Sequence, residues 1–212
     1  MLLFVAFASA DTLPISKNLF INLAAGLFIL PFFLFSALAG VLADKYEKSW
    51  FIRKVKMLEV VIMSLGAVGL IYESYGILLL LLFLMGTQSA FFGPVKYALL
   101  PQQLKTKELV SGNALVETGT FLAILIGTLS AGIIASEENA KLIAAVCIVL
   151  FAIFGYISSC FIPEAPSNAP ALKVKWQPIK LTRSTLAIAK KIVRLFKRSC
   201  QSVGSGSLVR LT

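Results

Sequence analysis

A single carboxylate, Glu117, lies in a stretch from Leu109 to Ile134 that carries no other charge. Eight residues past Leu109 corresponds to roughly 12 Å along a helix rising about 1.5 Å per residue. That depth is close to the middle of a hydrocarbon layer about 30 Å thick. A charge placed there costs about 2.5–3.5 kcal/mol on insertion scales, so the group is a site candidate able to hold a proton, a cation or a polar substrate. Asn113, Glu117 and Thr120 follow i, i+4, i+7 and share one helix face. Such a stripe either lines a water-filled cavity or binds helices together through hydrogen bonds. Gln88 and Ser89 fall near the middle of another apolar run and carry the same two readings. Lys96 lies about 30 Å along its helix from Gly76. Its ammonium either reaches the headgroup layer along its own methylenes or meets a phosphate taken up from the membrane. Glu59 sits near the end of a run, within reach of water or of Lys56.

These residue types exclude much else. The chain has 212 residues and no histidine, which removes histidine-based triads, metal sites and general bases. Its 3 cysteines have no spacing typical of a metal site or a disulfide framework. Neither a metal nor a cofactor is expected, and no enzyme chemistry.

The elements that position these groups are apolar runs. The chain is 58% hydrophobic, above the roughly 45–50% usual in soluble domains. Runs of about 20 apolar residues suffice to cross the hydrocarbon core. Spans are expected over 18–43, 57–72, 76–95, 109–134 and 142–162. Residues 1–10 (MLLFVAFASA) end in Ala8-Ser9-Ala10, like a signal-peptidase site, but have no basic amino end and are too short for a signal peptide. They read as part of a first span whose beginning is absent. Pro31 falls inside the second span, where a kink is tolerated because neighbouring helices satisfy the freed carbonyl. Gly119, Ala123, Gly127 and Ala131 repeat every four residues opposite the Glu117 stripe. Small residues at that interval let helix backbones approach closely.

Charge gives orientation. Of 20 Lys and Arg, all but Lys17 and Lys141 fall in alternate connecting stretches. Lys and Arg are retained on the cytoplasmic side during insertion. The expected protein is therefore multi-pass in an inner-type membrane, with its basic loops and carboxy end cytoplasmic. The net charge of +10 then faces anionic lipid headgroups, and no nucleic-acid partner is expected. Residues 44–56 read as a short basic loop and 96–108 as another. Residues 163–182 are proline-rich and read as an extended linker. Residues 183–198 separate basic from apolar side chains at about 100° per residue, as a helix lying in the membrane interface does. Residues 199–212 are either a disordered Gly/Ser tail or the product of a frameshift near residue 199, since the shifted frame permits an aromatic run.

Two stretches carry a resemblance. Gly40-Val41-Leu42-Ala43-Asp44-Lys45, with Arg53 and Lys54 downstream, resembles the G-x-x-x-D-[RK] signature loop of the major facilitator superfamily, with Glu47 standing where a small residue or glycine is usual. Gln88 to Pro101 (QSAFFGPVKYALLP) and Asn113 to Glu117 (NALVE) resemble the fourth and fifth spans of bacterial lysophospholipid transporters. The resemblance implies an all-α bundle, the amino-terminal six-helix half of a facilitator with its first helix incomplete. It implies transfer of lysophosphatidylethanolamine-type lipids between leaflets by alternating access, with membrane lipids and a complementary carboxy-terminal half as partners. Gly40, Asp44, Lys45 and Arg53 would form the gating loop. Glu117, Asn113, Thr120, Gln88 and Lys96 would line the substrate cavity. Half of a general solute/proton antiporter, or a non-transporting membrane fragment or interaction module, are the alternative expectations.

Overall fold

The computed structural model describes residues 17–167 and Ala169, with the backbone alone for Lys17. These residues form five helices: α1 (Lys17–Lys45), α2 (Lys48–Ile71), α3 (Tyr75–Gln103), α4 (Leu109–Ala135) and α5 (Ala140–Cys160). No strand occurs among the described residues. An all-helical fold follows from the solvent. Lipid offers no hydrogen-bond partner, and a helix satisfies its backbone groups internally. Four helices, α1, α3, α4 and α5, are long and apolar enough to cross a membrane. The first turns of α2 carry Lys48, Arg53, Lys54, Lys56 and Glu59, which dilute its hydropathy.

The helix limits depart from expectation where side chains cap or extend them. The basic stretch 44–56 is mostly helix, not loop, because α2 starts at Lys48, where the Glu47 carboxylate accepts from the backbone N–H groups of Ser49 and Trp50. That satisfies two of the donors a helix start leaves free. Likewise α3 runs past Val95 to Gln103 through Pro94 and Pro101. The turn between α2 and α3 is tight, with Glu73 at φ 54°. The expected partial span over 1–10, the interfacial helix over 183–198 and the tail over 199–212 lie outside the described residues.

The helices stack in a row. α1 packs along α3, α3 along α2, and α2 along α5, while α1 and α2 scarcely meet. α4 touches only the edges of α3 and α5 and buries no residue. The α1–α3 seam is closed by Phe20 against Tyr75 and Phe35 against Phe91, with ring centres 5.8 and 5.9 Å apart. In its middle, Gly86 faces the Phe28 carbonyl and Pro31, and a methyl group there would overlap the Phe28 oxygen and sit 3.2 Å from Pro31 Cγ. Between α2, α3 and α5 lies an apolar cavity of about 150 Å³, lined by Ile62, Met63, Gly66, Leu81 and Ile148 among others.

The α1–α3 crossing should therefore fail specifically at Gly86. Gly86→Ala should lower stability by about 1–3 kcal/mol through overpacking. Gly26→Ala meets no atom within 4 Å and should be neutral or slightly stabilising. Denaturant titration in detergent micelles compares the two.

Candidate functional site

Glu117 projects from α4 toward α3, where the Tyr97 hydroxyl donates to its carboxylate. Tyr97 is 41% exposed, so the pair is accessible. Asn113 is exposed on the same helix, one turn away. Thr120 turns its hydroxyl back to its own helix, donating to the Val116 carbonyl at 2.8 Å. Lys96 is half-buried, its ammonium 4.8 Å from the centre of the Tyr97 ring. Tyr97, Glu117 and Lys96 thus form an accessible polar group between α3 and α4. Sequence reasoning did not single out Tyr97. Its signal was available, since it adjoins Lys96.

Gln88 sits elsewhere. It is buried, and its amide donates to Glu59 of α2 at 2.8 Å. Lys56 pairs with the same carboxylate oxygen at 2.8 Å and lies 4.8 Å from the Phe92 ring centre. Ser89 donates to the Gln88 oxygen at 3.3 Å. Gln88 and Tyr97 are nine positions apart on α3, which at about 100° each turns them to opposite sides. The structure therefore separates the expected cavity residues into an open group on the α4 side and a closed cluster on the α2 side. Glu59 is the key member of the closed cluster, with Lys56 as its partner.

The small-residue stripe on α4 is mostly exposed. Gly119, Ala123 and Gly127 are exposed, Ala131 is half-buried, and no atom lies within 4 Å of a methyl group built on Gly119 or Gly127.

The gating-loop residues gather at the end of the bundle that carries most of the described Lys and Arg, the basic end. Asp44 and Lys45 close α1. Lys45 lies 5.6 Å from the Tyr46 ring centre. Gly40 lies within α1, where an added methyl would meet no atom within 4 Å. Arg53 reaches across to donate to the Ile162 carbonyl at 3.1 Å. Glu47, the departure from the family pattern, accepts from the Ser49 hydroxyl, from the Ser49 and Trp50 backbone and from the Ala165 N–H. Burial opposes its charge, but these donors outweigh that and hold its pKa below the ordinary carboxylate range. Its contribution to stability is thus fully present above the usual glutamate pKa of about 4.3. It is lost as pH falls through the lower folded value. At the opposite end, Lys141 of α5 pairs with Glu73 of the α2–α3 turn. Among the described residues no group of acidic or thiol side chains is placed to hold a metal.

The Major Facilitator Superfamily model matches residues 1–203. The chain belongs to the Major Facilitator Superfamily. Curated relatives are also lysophospholipid transporters by name. LplT of Serratia proteamaculans is 36% identical over 101 residues, covering 48% of this chain and 24% of the relative. LplT of Escherichia coli O1:K1 is 29% identical over 160 residues, covering 75% of this chain and 38% of the relative. The chain thus spans well under half the length of the transporters it matches. As a member of this superfamily it is a multi-pass membrane protein of a transporter family.

The closed cluster should behave as a structural unit. Glu59→Ala leaves the Lys56 ammonium and the Gln88 amide facing each other without an acceptor. It should cost about 1–3 kcal/mol, and Glu59→Gln less. Thermal unfolding in micelles, read by circular dichroism, ranks the two variants.

Proposed function

We propose that this chain supplies one wall of a cavity through which lysophospholipids cross a bacterial inner membrane, by alternating access together with further helices. The observation that carries this reading is Glu117 of α4, paired with Tyr97 of α3, on a helix that buries no residue among the described helices. An ionisable group is costly in lipid, and a helix bearing one needs water or protein on that side. A cavity shared with additional helices meets that need. Lys96 beside Tyr97 adds a cation suited to a phosphate headgroup. The names of the relatives support the lipid class. The lysophosphatidylethanolamine-type headgroup rests on the resemblance read from the sequence. Half of a general solute/proton antiporter is the second reading, and Glu117 favours it too, since an intramembrane carboxylate can carry a proton.

Uptake of a fluorescent lysolipid into spheroplasts tests the proposal. The chain co-expressed with the carboxy-terminal part of a relative should take up lysolipid. Glu117→Ala and Lys96→Ala should each reduce uptake at least tenfold, with protein levels unchanged. Uptake insensitive to both substitutions overturns the assignment. Proton-coupled uptake of a soluble solute, without lysolipid movement, favours the antiporter.

We also propose that the basic end faces the cytoplasm, because Lys and Arg are retained there on insertion. Single cysteines replacing the exposed Lys54 and Lys141, in a background lacking the native cysteines, should label from opposite sides of the membrane with an impermeant maleimide. The position-54 cysteine should need permeabilised cells, and labelling of both from one side rejects this topology.

A further inference from the structure

The chain leaving α5 does not depart from the bundle. It crosses the basic end and is held there at Ile162, Ala165, Pro166 and Ala169. The Ile162 carbonyl accepts from Arg53 Nη2 at 3.1 Å. The Ala165 N–H donates to Glu47 Oε1 at 3.0 Å, and the Ala165 carbonyl accepts from the Lys48 backbone N–H at 3.0 Å. The Pro166 carbonyl accepts from Lys48 Nζ at 3.0 Å and from Gln102 Nε2 at 3.2 Å. The Ala169 N–H donates to the Asp44 carbonyl at 3.0 Å. The donors and acceptors come from the end of α1, the start of α2 and the end of α3.

Two features separate this from a chance crossing. Both backbone groups of Ala165 are satisfied by consecutive residues, its N–H by the Glu47 carboxylate and its carbonyl by the Lys48 N–H, as buried backbone groups require. The Ala165 methyl is also 0% exposed, and so are Lys48 and Ser49 beside it, so the socket admits no larger side chain without displacement. Lys48 would be costly to bury without the carbonyl it meets.

We infer that the chain from Ile162 to Ser167, tied again at Ala169, is a strap, recognised through its backbone by a socket built on Glu47, Lys48 and Arg53, which locks the α1–α2 connection to the exit of α5. Glu47 serves two ends at once, capping α2 and gripping the strap. The α1–α2 loop and the α5 exit therefore move as one piece. None of this depends on what the protein carries.

Amide hydrogen exchange at single-residue resolution, on the full chain in lipid nanodiscs, tests the strap. In the wild type the Ala165 amide should exchange at least tenfold more slowly than those of Glu164 and Ser167, which have no acceptor among the described residues. Glu47→Ala should abolish that protection. Ala165→Leu should abolish it too, by outgrowing the socket, while the amides in the middle of α3 keep their wild-type rates. Ala165→Leu alters no helix residue, so it decides the matter if Glu47→Ala loosens the whole bundle. An unprotected Ala165 amide in the wild type, or protection that survives both substitutions, overturns the inference.

Discussion

A hydrocarbon medium supplies no partner to a polar group, and that constraint orders this structure. It imposes helices first, because only they close their own backbone bonds within one segment. It then dictates where hydroxyls go. Ser64, Thr87, Thr120, Thr128 and Ser158 all donate to a carbonyl four residues back on their own helix, so none requires a neighbour. Lys56 pairs with Glu59 three residues on in its own helix. Gln88 and Tyr97 reach between helices instead, to Glu59 of α2 and Glu117 of α4.

Apolar packing decides which helices those ties can join. The α1–α3 seam needs Gly86, since the backbones approach to contact there. The α2–α3–α5 interface is less complete and leaves its cavity in the half toward the Glu73–Lys141 pair, whereas the polar Glu59 cluster occupies the other half. The ends differ in how they are fastened. One exposed ion pair, Glu73–Lys141, joins the α2–α3 turn to α5, and exposed pairs contribute little. At the basic end the strap uses buried groups and several backbone bonds, together with the small core of Ala43, Ile52 and Val95. The basic end is therefore the stiffer of the two.

Much of this was legible in the residues. Apolar run lengths made the all-helical class legible, and the charge-free run around Glu117 marked that residue out for attention. The limits of α2 and α3 were less legible. A basic stretch reads as loop unless one sees that Glu47 caps a helix start, and the stretch 96–108 reads as loop although α3 continues to Gln103. Partner choice was least legible. Gln88 and Lys96 share one apolar run, and period alone does not say which neighbour each meets. Glu59 looked peripheral by depth, yet Gln88 of α3 makes it the centre of a cluster. The strap left no sequence signal beyond the departure at Glu47, because it is recognised through backbone groups that every residue carries.

The geometry of α3 gives these observations a common frame. Gln88 looks toward α2 into a closed cluster, and Tyr97 looks toward α4 into an open one. α3 also packs along α1. It is thus the divider between a sealed side and an accessible side. The sealed side must resist change, since parting Gln88 from Glu59 strands polar groups in an apolar interior. On the open side Tyr97 and Asn113 are exposed, with Glu117 and Lys96 half-buried beside them. α3 provides that asymmetry by presenting unlike residues on opposite faces.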